Sequence, residues 1–285
     1  MRLKNFILAL VAMLWSFSFS VAAQTDVVVV YNEAQLREAL AADGVHGARL
    51  QRSSEPNAIR FGSDVTLTAP FETNVGGNYV LDLEGYALRG AAIDGTKHQY
   101  PFYNRGTLII KDSKGGGYID CGVYNGYDTD GVTYSDARLE MLSGKIVCHD
   151  DEGAAIINYG TTIISGGSVE GSVNALKNVS GTMTVADGVS ITGEVAGEVT
   201  ISTGVKFTVA KIGDNVYATF GEALTAANAM TGDVTMQIFG EVEFTDGMEL
   251  NGSYTSINFI AKSAKAKMTV NQTAGGDYLT AHGKT

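Results

Sequence analysis

Short runs of alternating apolar and polar residues recur along the chain, and turn signals separate them. Residues 104–110 (Asn-Arg-Gly-Thr-Leu-Ile-Ile) return at 158–164 as Asn-Tyr-Gly-Thr-Thr-Ile-Ile, and again at 178–185 with one inserted residue. Alternation is the period of a β-strand, whereas Asn and Gly favour turns. The pattern therefore predicts a chain that coils and stacks one short strand on the next.

Stacking of equivalent coils places like residues above like residues. Asn104, Asn158 and Asn178 are therefore predicted to form a ladder of side-chain amides, hydrogen-bonded along the axis of the stack. Alternate residues of the strands are predicted to fill the interior, among them Leu108, Ile110, Ile163 and Val169.

A larger unit occurs twice. The first copy begins with a predicted helix at 33–42, with Asn32 as its N-cap, and continues with alternating strands at 59–68 and 78–83. The second copy has a Thr-x-x-Glu capping box at 219–222, a predicted helix at about 220–229 and further strands. We thus divide the mature chain into a β domain at 24–209, whose helix closes one end, and a partial second unit at 210–285.

The first 23 residues have the pattern of a secretory signal peptide. Arg2 and Lys4 precede a mostly apolar stretch, and the small residues at 21–23 suit cleavage before Gln24. No second long apolar stretch follows, so we expect no membrane span after cleavage. The pattern predicts a protein that is secreted or held at the cell surface.

Charge and cysteine usage narrow the class further. The formal net charge of −11 opposes nucleic-acid binding, which depends on Lys and Arg against phosphates. Cys121 and Cys148 are the two cysteines. In an exported chain they are consistent either with a disulfide or with two small buried residues in a β core.

The repeated segments resemble the right-handed parallel β-helix (pectate-lyase-like) repeats of bacterial exported surface proteins. Residues 80–90, 104–113 and 158–167 carry the resemblance, which spans about 25–209 with a partial echo from 210 onward. It implies an all-β solenoid. Proteins with such repeats include polysaccharide lyases and hydrolases as well as non-catalytic surface or adhesion modules, so the resemblance does not by itself define the activity.

One stretch has the residue types of a glycosidase site. His149, Asp150, Asp151 and Glu152 are adjacent, but neighbours on an extended strand point to opposite faces. The hydrolase motifs of this fold (Asn-Thr-Asp, Gly-His-Gly and Arg-Ile-Lys) are absent from the sequence. A non-catalytic protein is therefore the main expectation, and a polysaccharide lyase or glycoside hydrolase is the alternative.

The repeat is interrupted at 117–136, and this insertion is rich in tyrosine and aspartate. Tyrosine rings offer stacking area for sugars, and carboxylates accept hydrogen bonds from sugar hydroxyls. Asp128 and Asp130 are also weak candidates for calcium, the single cofactor that the sequence suggests. The alternative is a polar loop that covers the stack. The candidate ligand contacts are Tyr118, Tyr124, Tyr127, Tyr134, Asp120, Asp128 and Asp130.

The sequence thus predicts an exported, non-catalytic module for structure, adhesion or glycan contact. Its expected partners are glycans or host and cell-surface proteins. A third reading makes the chain the N-terminal part of a longer surface protein.

Overall fold

The computed structural model describes residues 27–40, 57–92, 98–99, 102–120, 122–148, 154–245, 248–263 and 266–271. The predicted signal peptide lies outside these residues. The described chain is mostly β-structure with large parallel sheets and two helices, and the largest sheets form a curled half-barrel.

The first unit, residues 27–209, consists of short strands that follow one another in repeated circuits. They are β1 Val28–Val30, β2 Asn57–Phe61, β3 Val65–Thr66, β4 Phe71–Glu72, β5 Asn78–Asp82, β6 Ala87–Arg89, β7 Ala91–Ala92, β8 His98–Gln99, β9 Phe102–Asn104, β10 Thr107–Lys111, β11 Tyr118–Asp120, β12 Val123–Asn125, β13 Arg138–Met141, β14 Lys145–Cys148, β15 Ala154–Asn158, β16 Thr161–Ile164, β17 Ser168–Asn178, β18 Thr182–Val185, β19 Ser190–Ala196, β20 Thr200–Ile201 and β21 Lys206–Phe207.

Each circuit contributes one strand to a parallel sheet in the order β1-β2-β5-β10-β13-β16-β18-β20. The register follows the repeat: Leu108 of β10 lies between Tyr79 of β5 and Leu139 of β13. A strand therefore pairs with its equivalents in the preceding and following circuits. This arrangement is compatible with the predicted parallel β-helix.

A second large sheet has two arms. One arm runs β3-β6-β11-β14 and the other runs β4-β9-β12-β15, and both end on the eleven-residue strand β17. Ser168 to Gly171 of β17 pair with β14, whereas residues 174–178 pair with β15. Because one strand serves both arms, the sheet curls around the core.

The interior follows the alternation of the strands. Leu108, Ile110 and Val169 are fully buried, as predicted. The prediction for Ile163 is wrong: it is half-buried on the outer face, while Thr162 and Ile164 point inward. The hydroxyl of Thr162 donates to Oδ1 of Asn158 at 2.8 Å, which satisfies a polar group that is costly to bury alone.

The predicted strand at 59–68 is divided into β2 and β3 by a bend at residues 62–64. The ring of Tyr31 occupies the space beside Gly62, where a Cβ atom would lie 2.3 Å from it. The hydroxyl of Ser63 donates to the carbonyl of Tyr31 at 2.6 Å. These contacts fix a corner of the first circuit that the alternation did not reveal.

The first helix, α1, spans Glu33–Leu40 and buries Leu36, Ala39 and Leu40 against the core of the first unit. Asn32 caps it, since its Oδ1 accepts from the backbone N–H of Gln35 at 3.0 Å. The predicted helix extended to residue 42, and residues 41 and 42 lie outside the described chain.

The second unit, described over 210–245, 248–263 and 266–271, has its own core. Thr219 and Glu222 form the predicted capping box at the start of its helix. The elements are β22 Ala210–Ile212, β23 Asn215–Tyr217, α2 Phe220–Asn228, β24 Thr231–Ile238, β25 Glu241–Thr245, β26 Ser253–Ala261 and β27 Lys267–Asn271.

The second unit repeats the start of the first in topology. β24 pairs in parallel with β26, and β25 with β27, as β2 pairs with β5 and β3 with β6. The hairpin of β22 and β23 differs, because β22 pairs with β24 in antiparallel fashion.

An ion cluster joins the two units. Nζ of Lys211 in β22 forms an ion pair with the buried carboxylate of Glu170 in β17, which also pairs with Lys145 at 2.5 Å. Burial raises the pKa of Glu170, but the two ammonium groups outweigh that effect and hold the pKa below its ordinary value.

Candidate functional site

The predicted insertion at 117–136 is wrong in its first part, because Tyr118–Asp120 and Val123–Asn125 form strands β11 and β12 of the stack. The interruption is a compact loop at residues 126–137, between β12 and β13. The backbone N–H of Gly126 donates to the carbonyl of Asn104, and that of Tyr134 donates to the carbonyl of Gly126, both at 2.8 Å. Gly126 has a φ of +80°, and a Cβ atom there would lie 2.7 Å from the carbonyl oxygen of Tyr134. Glycine is therefore required where the loop leaves the stack.

Asp128 organises the tip of this loop. Its Oδ1 accepts from the backbone N–H groups of Asp130 and Val132 at 3.0 and 2.8 Å, and its Oδ2 accepts from the Tyr134 hydroxyl at 2.7 Å. The hydrogen bond from Tyr134, followed by those from the backbone, holds the pKa of Asp128 below its ordinary value. The same contact raises the pKa of Tyr134.

Glu72 of β4 attaches the loop to the first circuit. Its Oε1 accepts from the backbone N–H and the hydroxyl of Thr129 at 2.9 and 2.6 Å, and its Oε2 pairs with Nη1 of Arg105 at 3.0 Å. Nε of Arg105 donates to the carbonyl of Thr73 at 2.7 Å. The guanidinium carbon of Arg105 lies 6.0 Å from the centre of the Tyr134 ring. The loop is thus held at both its tip and its side.

Arg105 lines two surface cavities. One, of about 360 Å³, lies beside the loop, and the other, of about 540 Å³, lies towards α1. The second cavity is lined by Arg37, Leu40, Phe71 and Asn74 as well as Glu72, Arg105 and Thr129. The first is lined by side chains that can contact a polar ligand: Arg105, Thr107, Thr133, Tyr134 and Asp136.

Two of the predicted ligand tyrosines belong to an aromatic stack. Tyr124 lies between Tyr103 and Tyr127, with ring centres 5.1 and 6.1 Å apart, and Tyr127 stacks on Tyr159 at 4.7 Å. The rings of Tyr124 and Tyr127 therefore face their neighbours, which limits the area that they can offer to a sugar. The sequence interpretation missed Tyr159 as a member of this stack, although it follows the repeated Asn158.

Tyr118 and Asp120 lie on the other arm of the sheet, in β11. The Tyr118 hydroxyl accepts from Nε of Arg89 at 2.9 Å, and Arg89 pairs with Asp64 at 2.8 Å. Asp120 is buried. The candidate residues are therefore divided among three places, and of the four tyrosines only Tyr134 lines the cavity beside the loop.

The three asparagines of the repeat lie in a hydrogen-bonded ladder, together with one that the sequence interpretation missed. Nδ2 of Asn104 donates to Oδ1 of Asn125, Asn125 donates to Asn158, and Asn158 donates to Asn178, at 2.7, 2.8 and 2.8 Å. Asn125 lies 21 residues after Asn104 but 33 residues before Asn158, because the loop at 126–137 follows it and interrupts the spacing of about 20. The Tyr-Asn pair at 103–104 recurs at 124–125, and this recurrence is the sequence feature that identifies Asn125 as a member of the ladder.

Asp128 and Asp130, the two calcium candidates, have different surroundings in this loop. Both carboxylate oxygens of Asp128 accept hydrogen bonds from within the loop, and Asp130 is exposed at its tip. Among the described residues, no group of three or more His, Cys, Asp or Glu side chains is arranged to hold a metal ion. The calcium hypothesis therefore stays a prediction.

Two predicted features lie outside the described residues. Cys121 is one of them, so the disulfide with Cys148 stays a prediction; Cys148 itself is buried at the end of β14. The stretch from His149 to Glu152 is the other.

Comparison of the chain with protein-family models, curated proteins and solved structures finds no match in any of the three. Neither helix in the described part of the chain is long and apolar enough to cross a membrane.

Proposed function

We propose that the chain is an exported, non-catalytic module of the right-handed parallel β-helix type, which contacts glycans through the cavity beside its insertion. The in-register parallel pairing of successive circuits supports a solenoid. The asparagine ladder, which joins successive circuits by buried hydrogen bonds, supports the rigidity of that solenoid. The predicted signal peptide supports export to the surface or the exterior.

The glycan proposal rests on the residues that line the cavity beside the loop. The ring of Tyr134 provides an apolar surface, and the exposed side chains of Thr133 and Asp136 supply hydroxyl and carboxylate groups that pair with sugar hydroxyls. The volume of about 360 Å³ lies within the common range for small-ligand pockets.

The fixed loop also supports binding. Asp128 and Glu72 hold Tyr134 and Thr129 before any ligand arrives, so little side-chain entropy is lost when one binds. A glycan would meet a surface that is already formed.

The electrostatics of the loop favour binding over catalysis. A general acid for glycoside cleavage needs a raised pKa, whereas the pKa of Asp128 is lowered by Tyr134. Glu72 is occupied by Thr129 and Arg105. These carboxylates serve to shape the loop.

A glycan array probed with the purified chain tests the proposal, and binding to one class of glycan is expected. In parallel, a panel of polysaccharides is incubated with the chain. New reducing ends or unsaturated sugars would establish the lyase or glycosidase alternative, and an array without any binding would overturn the glycan proposal.

A further inference from the structure

Two charged side chains of opposite sign line the cavity beside the loop, Arg105 and Asp136. The guanidinium of Arg105 is already bound within the protein: Nη1 pairs with Glu72 at 3.0 Å, and Nε donates to the carbonyl of Thr73 at 2.7 Å. An anion that enters the cavity therefore has to compete with the Glu72 carboxylate for this guanidinium. Arg105 is part of the frame that holds the loop.

Asp136 is the charged group that the cavity offers to a ligand. Its side chain is exposed at the cavity wall. Within the part of the chain that the structure describes, no cation forms an ion pair with it, and Arg138 pairs instead with Glu140 at 3.1 Å. An ionised carboxylate only accepts hydrogen bonds, whereas an ammonium group only donates them. The cavity wall is thus complementary to an ammonium group.

The charges around the cavity have the same sign as Asp136. The loop at 126–137 contains three aspartates and no lysine, arginine or histidine. Glu72, which anchors the loop, adds a fourth carboxylate beside the guanidinium of Arg105. The whole chain has a net charge of −11. The electrostatic potential at the cavity therefore repels uronate and sulfate groups and attracts cations.

We propose that this cavity takes amino sugars, which are glycans with a protonated amino group, and that Asp136 selects them. The inference rests on the proposed glycan contact and names the class of sugar that the site prefers. The ammonium group of the sugar donates to the Asp136 carboxylate, while the apolar face of the sugar ring packs on Tyr134. Anionic glycans are rejected because they bring like charge to this cavity.

Isothermal titration calorimetry tests the proposal with three oligosaccharides of equal length, built from glucosamine, N-acetylglucosamine or galacturonate. A mildly acidic buffer keeps the amino groups protonated. We expect the wild-type chain to bind the glucosamine oligomer about tenfold more tightly than the uncharged N-acetylglucosamine oligomer, and not to bind the galacturonate oligomer. Raising the salt from about 50 to about 500 mM should weaken only the binding of the glucosamine oligomer.

Two matched variants assign the preference to one carboxylate. Asp136→Asn keeps an acceptor oxygen but removes the charge, so it should bind the glucosamine and N-acetylglucosamine oligomers with equal affinity. Asp214→Asn, at an exposed position in the turn between β22 and β23, should keep the wild-type preference. Circular dichroism establishes that the variants are folded. If Asp136→Asn does not fold, the salt dependence of the wild-type chain decides, and equal salt dependence for the two oligomers contradicts the proposal.

The outcomes separate this inference from the proposed function. If the wild-type chain binds the N-acetylglucosamine or galacturonate oligomer as tightly as the glucosamine oligomer, the selection by charge is overturned and glycan contact stands. The same conclusion follows if Asp136→Asn keeps the preference. A wild-type chain that binds none of the three oligomers overturns the inference as well, and the glycan array then shows whether the proposed function is overturned with it.

Discussion

The Nδ2 atom of Asn104 donates to the Oδ1 atom of Asn125 at 2.7 Å, across two neighbouring circuits of the stack. Both side chains are fully buried. The same contact continues to Asn158 and Asn178, and the hydroxyl of Thr73 donates to Asn104 at the other end. The ladder therefore links circuits that are separated in sequence by the insertion.

Replacing Asn125 with Ala should lower the free energy of unfolding by about 3 kcal/mol, because it removes the buried hydrogen bonds that the Asn125 side chain makes with Asn104, Asn158 and the carbonyl of Thr161. Urea unfolding measures the change. Asn178→Ala is the matched control at the half-buried end of the ladder, and it should cost about 1 kcal/mol. Equal losses for the two variants would contradict an internal role for the ladder.

Removing the charge of Glu170 should destabilise the contact between the two units. Glu170→Gln leaves Lys145 and Lys211 beside a buried neutral amide, and about 3 kcal/mol is the expected loss in chemical unfolding. Glu140→Gln is the control, since Glu140 pairs with Arg138 at the surface, where such pairs contribute about 0 to 1 kcal/mol. A Glu170 variant as stable as the Glu140 variant would be evidence against the buried cluster.

The stability from Glu170 should also depend on pH. Because the folded pKa is lowered, the contribution is fully present above the unfolded pKa of about 4.3 and is lost as the pH falls through the folded pKa. The difference in unfolding free energy between the wild-type chain and Glu170→Gln should therefore shrink as the pH falls below about 4. A difference that stays constant from neutral to acidic pH would contradict this assignment.

Acid should likewise loosen the tip of the insertion. Tyr134 lowers the pKa of Asp128 in the folded loop below the ordinary aspartate value of about 3.9. The hydrogen bonds to the Asp128 carboxylate are therefore fully formed above about pH 3.9, and they are lost as the pH falls through the lower pKa of the folded state. The amide resonances of Asp130 and Val132 should report this titration by NMR. In Tyr134→Phe the midpoint should rise towards the ordinary value, and an unchanged midpoint would show that the hydroxyl has no such effect.

The aromatic stack should contribute to stability and not to glycan contact. Tyr127→Leu removes two stacked contacts, with Tyr124 and Tyr159, and should cost about 2 kcal/mol. The variant is compared with Tyr127→Phe, which keeps the ring and therefore both stacked contacts. If Tyr127→Leu loses glycan binding but keeps its stability, the aromatic stack contacts the ligand, which contradicts this prediction.

The repeat pattern was informative about the fold because stacking imposes the same residue type at the same place. Leu108 and Ile110, the helix caps at Asn32 and Thr219, and the doubled unit could all be read from local spacing. Local spacing could not show on which side of its strand Ile163 lies. The neighbouring Thr162 points inward because its hydroxyl donates a hydrogen bond to Asn158 of the ladder, and Ile163 therefore points outward.

The arrangement of the insertion was less predictable. Composition indicated tyrosines and aspartates as one group, but Tyr118 pairs with Arg89, Tyr124 joins the stack, and Tyr134 lines the cavity. Which of them meets solvent depends on contacts with Glu72 and Arg105 of earlier circuits, and these contacts join residues that no local motif connects.

The affinity of the chain for the glycan that it binds on the array tests the central claim most directly. Asp136→Ala removes an exposed carboxylate from the cavity, and Asp214→Ala removes an exposed one from the turn between β22 and β23. We predict that Asp136→Ala weakens binding about tenfold, in line with the loss of one charge-assisted hydrogen bond, while Asp214→Ala binds like the wild-type chain. Equal affinity of Asp136→Ala and the wild-type chain would contradict glycan contact at this cavity.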